Sequence, residues 1–389
     1  MEIYMKITTA ITNCQIVLET GILWDGTLLL SENRIAAYGP MATTEIPEGA
    51  KVIDAGGKYV GPGLVDLHVH GGGGYSTCYN PVEAAEFFLK HGTTSLLATP
   101  DYHMTLDTYF KVIKTIKEAM PKAKTIKGIY MEGPYTNPLY GSHSDTNPWR
   151  FGINEEEYKP LVDELGDLAL VWTVAPEREG IADFIEYARK VNPKTVISFG
   201  HTIASPAEIV ALEKYKPTLL THAMNATKKY KKDGPGVRCA GVDEYALQTP
   251  EMYTELISDS CCIHVNREMQ QLMLHYKGYD KVVLITDSTI HNNPNPEWLS
   301  HVKDLNFDPK GGIAGSKMTM DQACRNIMAH TCCGIAKAFI MAARNPARVI
   351  GLDDQIGTIT VGKIADLIIV DDKFNIDTVI LGGEVQNFN

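Results

Sequence analysis

Six residues of this sequence combine a chemically capable side chain with a telling position: His68, His70, Glu132, His201, His222 and Asp287. His68 and His70 stand two apart at the end of the apolar run GLVDLHVH. On a strand, side chains two apart point to the same face, so both imidazoles can grip one ion. The glycines that follow, Gly71 to Gly74, are expected to let backbone approach that ion closely. The other four residues each close a further apolar run: Glu132 the third, His201 the fifth, His222 the sixth and Asp287 the eighth. Four histidines and two carboxylates, with no thiolate among them, suit zinc, iron(II) or manganese, and suffice for two ions if a carboxylate bridges them. A single histidine at a strand end is ordinarily a satisfied core residue. Six metal-capable residues closing five runs need another explanation.

The elements that must bring these residues together are legible in the rhythm of the chain. From Gly61 onward, apolar β runs alternate with helix-length amphipathic segments such as PVEAAEFFLKHG and SPAEIVALEKY. The runs are GLVDLHVH, TTSLLATP, TIKGIYMEG, LALVWTVAPE, TVISFGH, TLLTH, LISDSCCIHV and VVLITD. Eight βα units predict an α/β chain built as a (β/α)8 TIM-type barrel, in which all strand C-termini share one mouth. Residues spread over some 220 positions then meet at one site. From about Thr8 to Val60 the chain reads as short strands with turns, Asp25-Gly26 among them. After helices from Met318 to about Ala343 and a short one at 345–351, GTITVGKIADLIIVDD and TVILGGEVQ return to strand character. Both chain ends are therefore expected to form a small β-sandwich domain, 1–60 with 352–389, beside a barrel at 61–351.

Bulk properties narrow the function. The net charge of −11 argues against nonspecific nucleic-acid or membrane-surface binding as the main activity and points to a small-molecule partner. No apolar run is long enough to span a bilayer and the opening residues lack a signal-peptide core, so a cytoplasmic location is expected. Eight cysteines without framework spacing read as reduced thiols.

The blocks PGLVDLHVHGGGG, MEGPYTNPLYGSH, GHTIASPAEI, THAMNA, ITDS, GGIAGSKMTM and NPARVIGLDDQIGTITVGKIADLIIVD resemble the N-acetylglucosamine-6-phosphate deacetylases of the amidohydrolase superfamily, over nearly the whole chain. The HxH pair is shared widely in the superfamily; MEGP followed by GSH, and THxxNA, are more specific. The resemblance implies that Glu132, His201 and His222 hold the tighter ion, while His68 and His70 form a second site. It implies hydrolysis of an acetamide by metal-activated water, with Asp287 taking the proton and handing it to the departing amine, and contributing as a ligand. His264, in the seventh run, matches the histidine that hydrogen-bonds the substrate. Ser142, His143, Asn225 and Ala226 match substrate contacts, and Ile313, Ala314 and Gly315 match a loop closing over the sugar. Zinc is the first expectation, iron(II) or manganese the alternatives, as one ion or two, in a homodimer.

The sequence departs from this pattern after THAMNA. Where the family carries a phosphate-binding arginine offered across the dimer interface, this chain has Lys228-Lys229-Tyr-Lys231-Lys232-Asp-Gly-Pro-Gly236, so Lys232, Lys231 or Arg238 must serve if phosphate is bound. Lysine offers a point charge without the bidentate fork. The ISDSCCIHV segment is also a residue longer than usual. Substrates therefore range from N-acetylglucosamine-6-phosphate to N-acetylgalactosamine-6-phosphate, an unphosphorylated amino sugar, an N-acyl amino acid or a cyclic amide. A catalytically silent scaffold is the competitor from another class, and retention of all six ligands argues against it.

Overall fold

A computed structural model of the chain describes residues 6–141, 146–227 and 239–388. Eight strands coincide with or overlap the eight apolar runs: β1 Leu64–Val69, β2 Thr93–Ala98, β3 Ile126–Met131, β4 Ala169–Val174, β5 Val196–Phe199, β6 Leu219–Leu220, β7 Tyr253–Ile257 and β8 Val282–Ile285. They pair in parallel in chain order. The seam between β8 and β1 closes just beyond the strand ends. There the Asp287 amide donates to the His68 carbonyl at 2.9 Å, and the His70 and Gly71 amides donate to the Ser288 carbonyl at 2.9 and 3.0 Å. Lower in the seam the Thr286 hydroxyl donates to the buried Asp66 carboxylate at 2.6 Å.

Helices α1 Pro81–Lys90, α2 Leu106–Ala119, α3 Glu155–Leu165, α4 Ile181–Val191, α5 Pro206–Ala211, α6 Val242–Gln248, α7 Arg267–Lys277 and α8 Met320–Thr331 alternate with the strands. Several start on side-chain caps that the sequence supplies: Thr105, Asn154, Asn266, and Ser205 in a capping box with Glu208. Their apolar faces pack on the outside of the strands through Phe88, Ile113, Leu161, Phe184 and Met273. A second cluster, including Val65, Leu67, Leu97, Val171 and Val283, fills the barrel and is continued by Ala347, Ile350 and Ile356 from the chain after α8.

Both chain ends contribute to one mixed sheet. Strand Tyr59–Pro62 joins them, pairing in parallel with Thr9–Leu18 and antiparallel with Leu367–Val370. The expected two-layer domain is thus one connected eight-stranded sheet around its own core of Ile11, Leu28, Val60, Leu367 and Ile380.

Three local expectations are corrected. Asp25-Gly26 is a register shift inside strand Gly21–Ser31, where Asp25 takes φ 49°, rather than a turn between strands. A Cβ at position 26 would lie 2.6 Å from Ile16, which explains the glycine. GTITV forms no strand, and pairing resumes at Leu367. β7 ends at Ile257, so His264 sits in the loop that follows. The Asp259 carboxylate accepts the amides of Cys261, Ile263 and His264 at 3.2, 2.9 and 2.8 Å, turning the chain where the apolar pattern alone runs on as strand.

Candidate metal centre and active site

The six residues singled out by position converge at the mouth of the barrel, all of them buried. Their donor atoms fall into two trios, His68–His70–Asp287 and Glu132–His201–His222, each with its atoms within 4.8 Å of one another. Glu132 lies between them. Its Oε1 is 2.8 Å from His201 Nε2 and 3.3 Å from His222 Nε2, while its Oε2 is 3.2 Å from His70 Nε2. Asp287 Oδ1 stands 3.4 Å from His70 Nε2 and 3.7 Å from His68 Nε2.

All four imidazoles turn Nε2 inward because Nδ1 is engaged elsewhere. His201 and His222 donate from Nδ1 to the backbone carbonyls of Tyr140 and Asn225, at 3.0 and 3.1 Å. His70 Nδ1 faces the Thr99 carbonyl at 3.0 Å and Asp101 Oδ1 at 3.2 Å, and His68 Nδ1 faces Glu255 Oε2 at 3.4 Å. His68 is stacked on Tyr130 with ring centroids 4.4 Å apart. This arrangement fixes tautomers that present a lone pair to the centre, as metal-binding histidines require. His68 Nε2 is buried with no hydrogen-bond partner, and a cation at the centre would satisfy it.

Three of the six sit in left-handed backbone, with φ of 46° at His201, 25° at His222 and 46° at Asp287. Each is the residue at which a parallel strand has just ended, and the left-handed step turns the chain away. Gly315 supports the last of these: its φ is 74°, and a Cβ there would lie 2.4 Å from the Asp287 carbonyl oxygen.

The electrostatics are those of a site built for cations. Burial pushes the Glu132 carboxyl up, but the charge of His68 and the hydrogen bonds from His201 and His222 outweigh it and hold the group well below the usual carboxylate range. Asp287 is lowered likewise, burial being overcome by His70 and His68. Against the cost of its own burial, His68 is raised to about 10 by Glu132, Glu255 and Asp287. A divalent ion competes with that proton for the same acids and lone pair.

Residues 59–385 match the model of the amidohydrolase family. The chain belongs to that family. Members of the amidohydrolase family are metal-dependent, in keeping with the two donor trios. This amidohydrolase is 28% identical to the N-acetylglucosamine-6-phosphate deacetylase of Haemophilus influenzae, over 96% of its own length and 98% of that protein. It is 25% identical to the N-acetylgalactosamine-6-phosphate deacetylase of Escherichia coli O157:H7, again over 96% and 98%. Its fold superposes on the crystal structure of N-acetylglucosamine-6-phosphate deacetylase from Pasteurella multocida with a TM-score of 0.83, at 25% identity and covering 97% and 99% of the two chains.

Of the residues expected to meet the substrate, Asn225, Ala226, Ile313, Ala314 and Gly315 line the cavity that the donor atoms face. The last three belong to the hairpin Leu305–Phe307/Ile313–Ser316, fastened to the Asp287 carbonyl by the Ser316 amide at 2.8 Å. His264 is buried, with Nδ1 3.1 Å from Asp259 Oδ2 and Nε2 without a partner among the described residues; it does not line that cavity. Ser142, His143, Lys231, Lys232 and Arg238 lie outside the described residues. Gly71 and Gly72 do not face the ion site as expected: a Cβ on them would meet the Tyr75 carbonyl at 2.4 Å and Phe88 at 2.6 Å, so they serve a tight hairpin packed on α1.

Sequence reasoning passed over Glu255, Asp101 and Asp259, and the cavity residues His103, Thr289 and His291. Two of these carried a signal. Glu255 is the one charged residue in a strand of otherwise uncharged residues, and Asp101 directly follows the second run, the position at which five other runs carry donors.

Proposed function

We propose that this amidohydrolase removes the N-acetyl group from an amino-sugar 6-phosphate, N-acetylglucosamine-6-phosphate first, releasing acetate. The observation that carries the reading is the convergence of six buried donors, Glu132 central among them, in a chain similar over nearly its full length to deacetylases of that name. His201, His222 and Glu132 would hold one ion, and His68, His70 and Asp287 a second, with Glu132 reaching both. Zinc suits this imidazole-rich set best; iron(II) and manganese accept the same donors. Such an ion supplies Lewis acidity, which polarises an amide carbonyl and makes water acidic enough to react near neutrality.

The chain's own groups do the rest. Asp287 accepts the proton of the attacking water at its carboxylate, and delivers it to the amine nitrogen as the C–N bond breaks. His264 is a further candidate for a substrate hydrogen bond, through the Nε2 that its pairing with Asp259 leaves over, although it does not line the cavity. Asn225, Ala226 and the 313–315 hairpin border the sugar and exclude water. Lys232 and Arg238 are the candidates for the phosphate, and Ser142 and His143 for further substrate contacts. The same reading divides the chain into a hydrolase barrel, 61–351, and a small domain, 1–60 with 352–389, and makes the protein a cytoplasmic homodimer. A silent scaffold is disfavoured by the intact donor set.

The test is acetate release by purified, zinc-loaded protein from N-acetylglucosamine-6-phosphate and N-acetylgalactosamine-6-phosphate. The first is expected to turn over faster. Preference for the second would reassign the sugar, and no acetate from either would sink the proposal.

A further inference from the structure

Glu255 is a side chain to which the reaction above gives no part, yet it is fully buried and reaches both halves of the centre. From β7 its Oε2 accepts from His68 Nδ1 at 3.4 Å, from the Tyr130 hydroxyl at 3.3 Å and from the His222 amide at 3.1 Å. Its Oε1 is buried without any partner. A carboxylate in that setting costs stability unless something nearby returns it. What lies nearby is His68, clamped between the Tyr130 ring and Glu255, its unpartnered Nε2 aimed at the centre.

The two trios also differ in what stands behind their histidines. Backbone carbonyls back His201 and His222. Carboxylates stand behind the other pair as well, Glu255 behind His68 and Asp101, together with the Thr99 carbonyl, behind His70. A carboxylate behind an imidazole fixes the tautomer and raises the basicity of the ligating nitrogen more than a neutral carbonyl does. Charge points the same way. When ionised, Glu132, Glu255 and Asp287 put three negative charges in the buried site, with Asp101 at its partly exposed edge, more than one divalent ion balances.

We infer that Glu255, seconded by Asp101, is a positioning residue that orients His68 and His70 for the second ion assigned above. The inference rests on the metal-dependent reading above and extends it from which residues touch an ion to which carboxylates make the second site.

The experiment is a titration of chelator-stripped full-length protein with Co2+, followed by visible absorbance and by metal analysis after desalting. Wild-type protein is expected to take two equivalents, and H70A to take one. In E255A the first equivalent should bind as in wild type and the second about 10- to 100-fold more weakly, the usual loss when such an outer partner is removed. E255Q keeps the shape and one acceptor oxygen, so a smaller weakening confined to the second equivalent is expected, as in D101N. Circular dichroism checks folding; if E255A does not fold, E255Q decides. Saturation of wild type at one equivalent would overturn the inference. So would unchanged affinity for both equivalents in folded E255A and E255Q, or equal weakening of both, which would make Glu255 a general strut. Acetate plays no part in the readout, so a protein that binds two ions and cleaves no acetamide refutes the deacetylase reading alone.

Discussion

Asp287 carries two duties that substitution can separate. It is one of three donors in its trio and also the group placed to move the proton. Asp287→Asn keeps an oxygen for an ion and a backbone tolerant of the left-handed region, but cannot hold a proton between water and amine. Turnover should fall by at least two to four orders of magnitude, the usual worth of a general acid–base group, while the ion assigned to Glu132, His201 and His222 stays bound. An Asn variant within tenfold of wild-type turnover would remove Asp287 from that role. The residues that touch the centre were readable in the sequence because each closes an apolar run. Those behind them were not, since a partner of Nδ1 may come from any strand: Glu255 reaches His68 across 187 positions. Tyr140 and Asn225 contribute only backbone carbonyls, which no side-chain pattern reveals.

At the scale of elements, the barrel seam depends on Asp66, a carboxylate with no solvent exposure whose oxygens accept the Thr286 hydroxyl and amide. Burial raises its pKa to about 7. Its unfolded value is near 3.9, so between roughly pH 4 and pH 7 the folded chain binds the extra proton. Stability contributed by this group is complete below about pH 4 and is lost as pH rises through 7. Asp66→Asn, neutral and nearly isosteric, removes that dependence. In chelator-stripped protein, the melting temperature of the variant relative to wild type should climb steadily from pH 5 to pH 8, and a difference independent of pH would refute the assignment. Strand existence was legible throughout the barrel, since parallel strands buried on both faces are dominated by apolar residues. Strand ends were less so. The seventh run continues apolar through Cys262 and Ile263, but the Asp259 carboxylate captures the following amides and stops the strand at Ile257.

For the whole molecule, alternation along the chain announced the barrel, and strand character at both termini announced their union. What was hidden is that one four-residue strand, Tyr59–Pro62, performs that union and leads within two residues into β1. A contact between residues 59–62 and 367–370 depends on three hundred intervening positions and has no local signature. The donors at the barrel mouth carry a cost that only the complete molecule can bear. His201, His222 and Asp287 are held at positive φ, a conformation that costs most L-residues about 1–2 kcal/mol and Asp and His less than most. Selection for stability alone would replace them with glycine. Asp287→Gly and Asp287→Ala should both abolish turnover, but in chelator-stripped protein the Gly variant should melt about 2 °C or more above the Ala variant, and equal or reversed melting temperatures would deny the stored strain. The mouth of this barrel is then a region where fitness opposes foldability. Directed evolution toward heat resistance without selection for activity should erode the site at these three positions first.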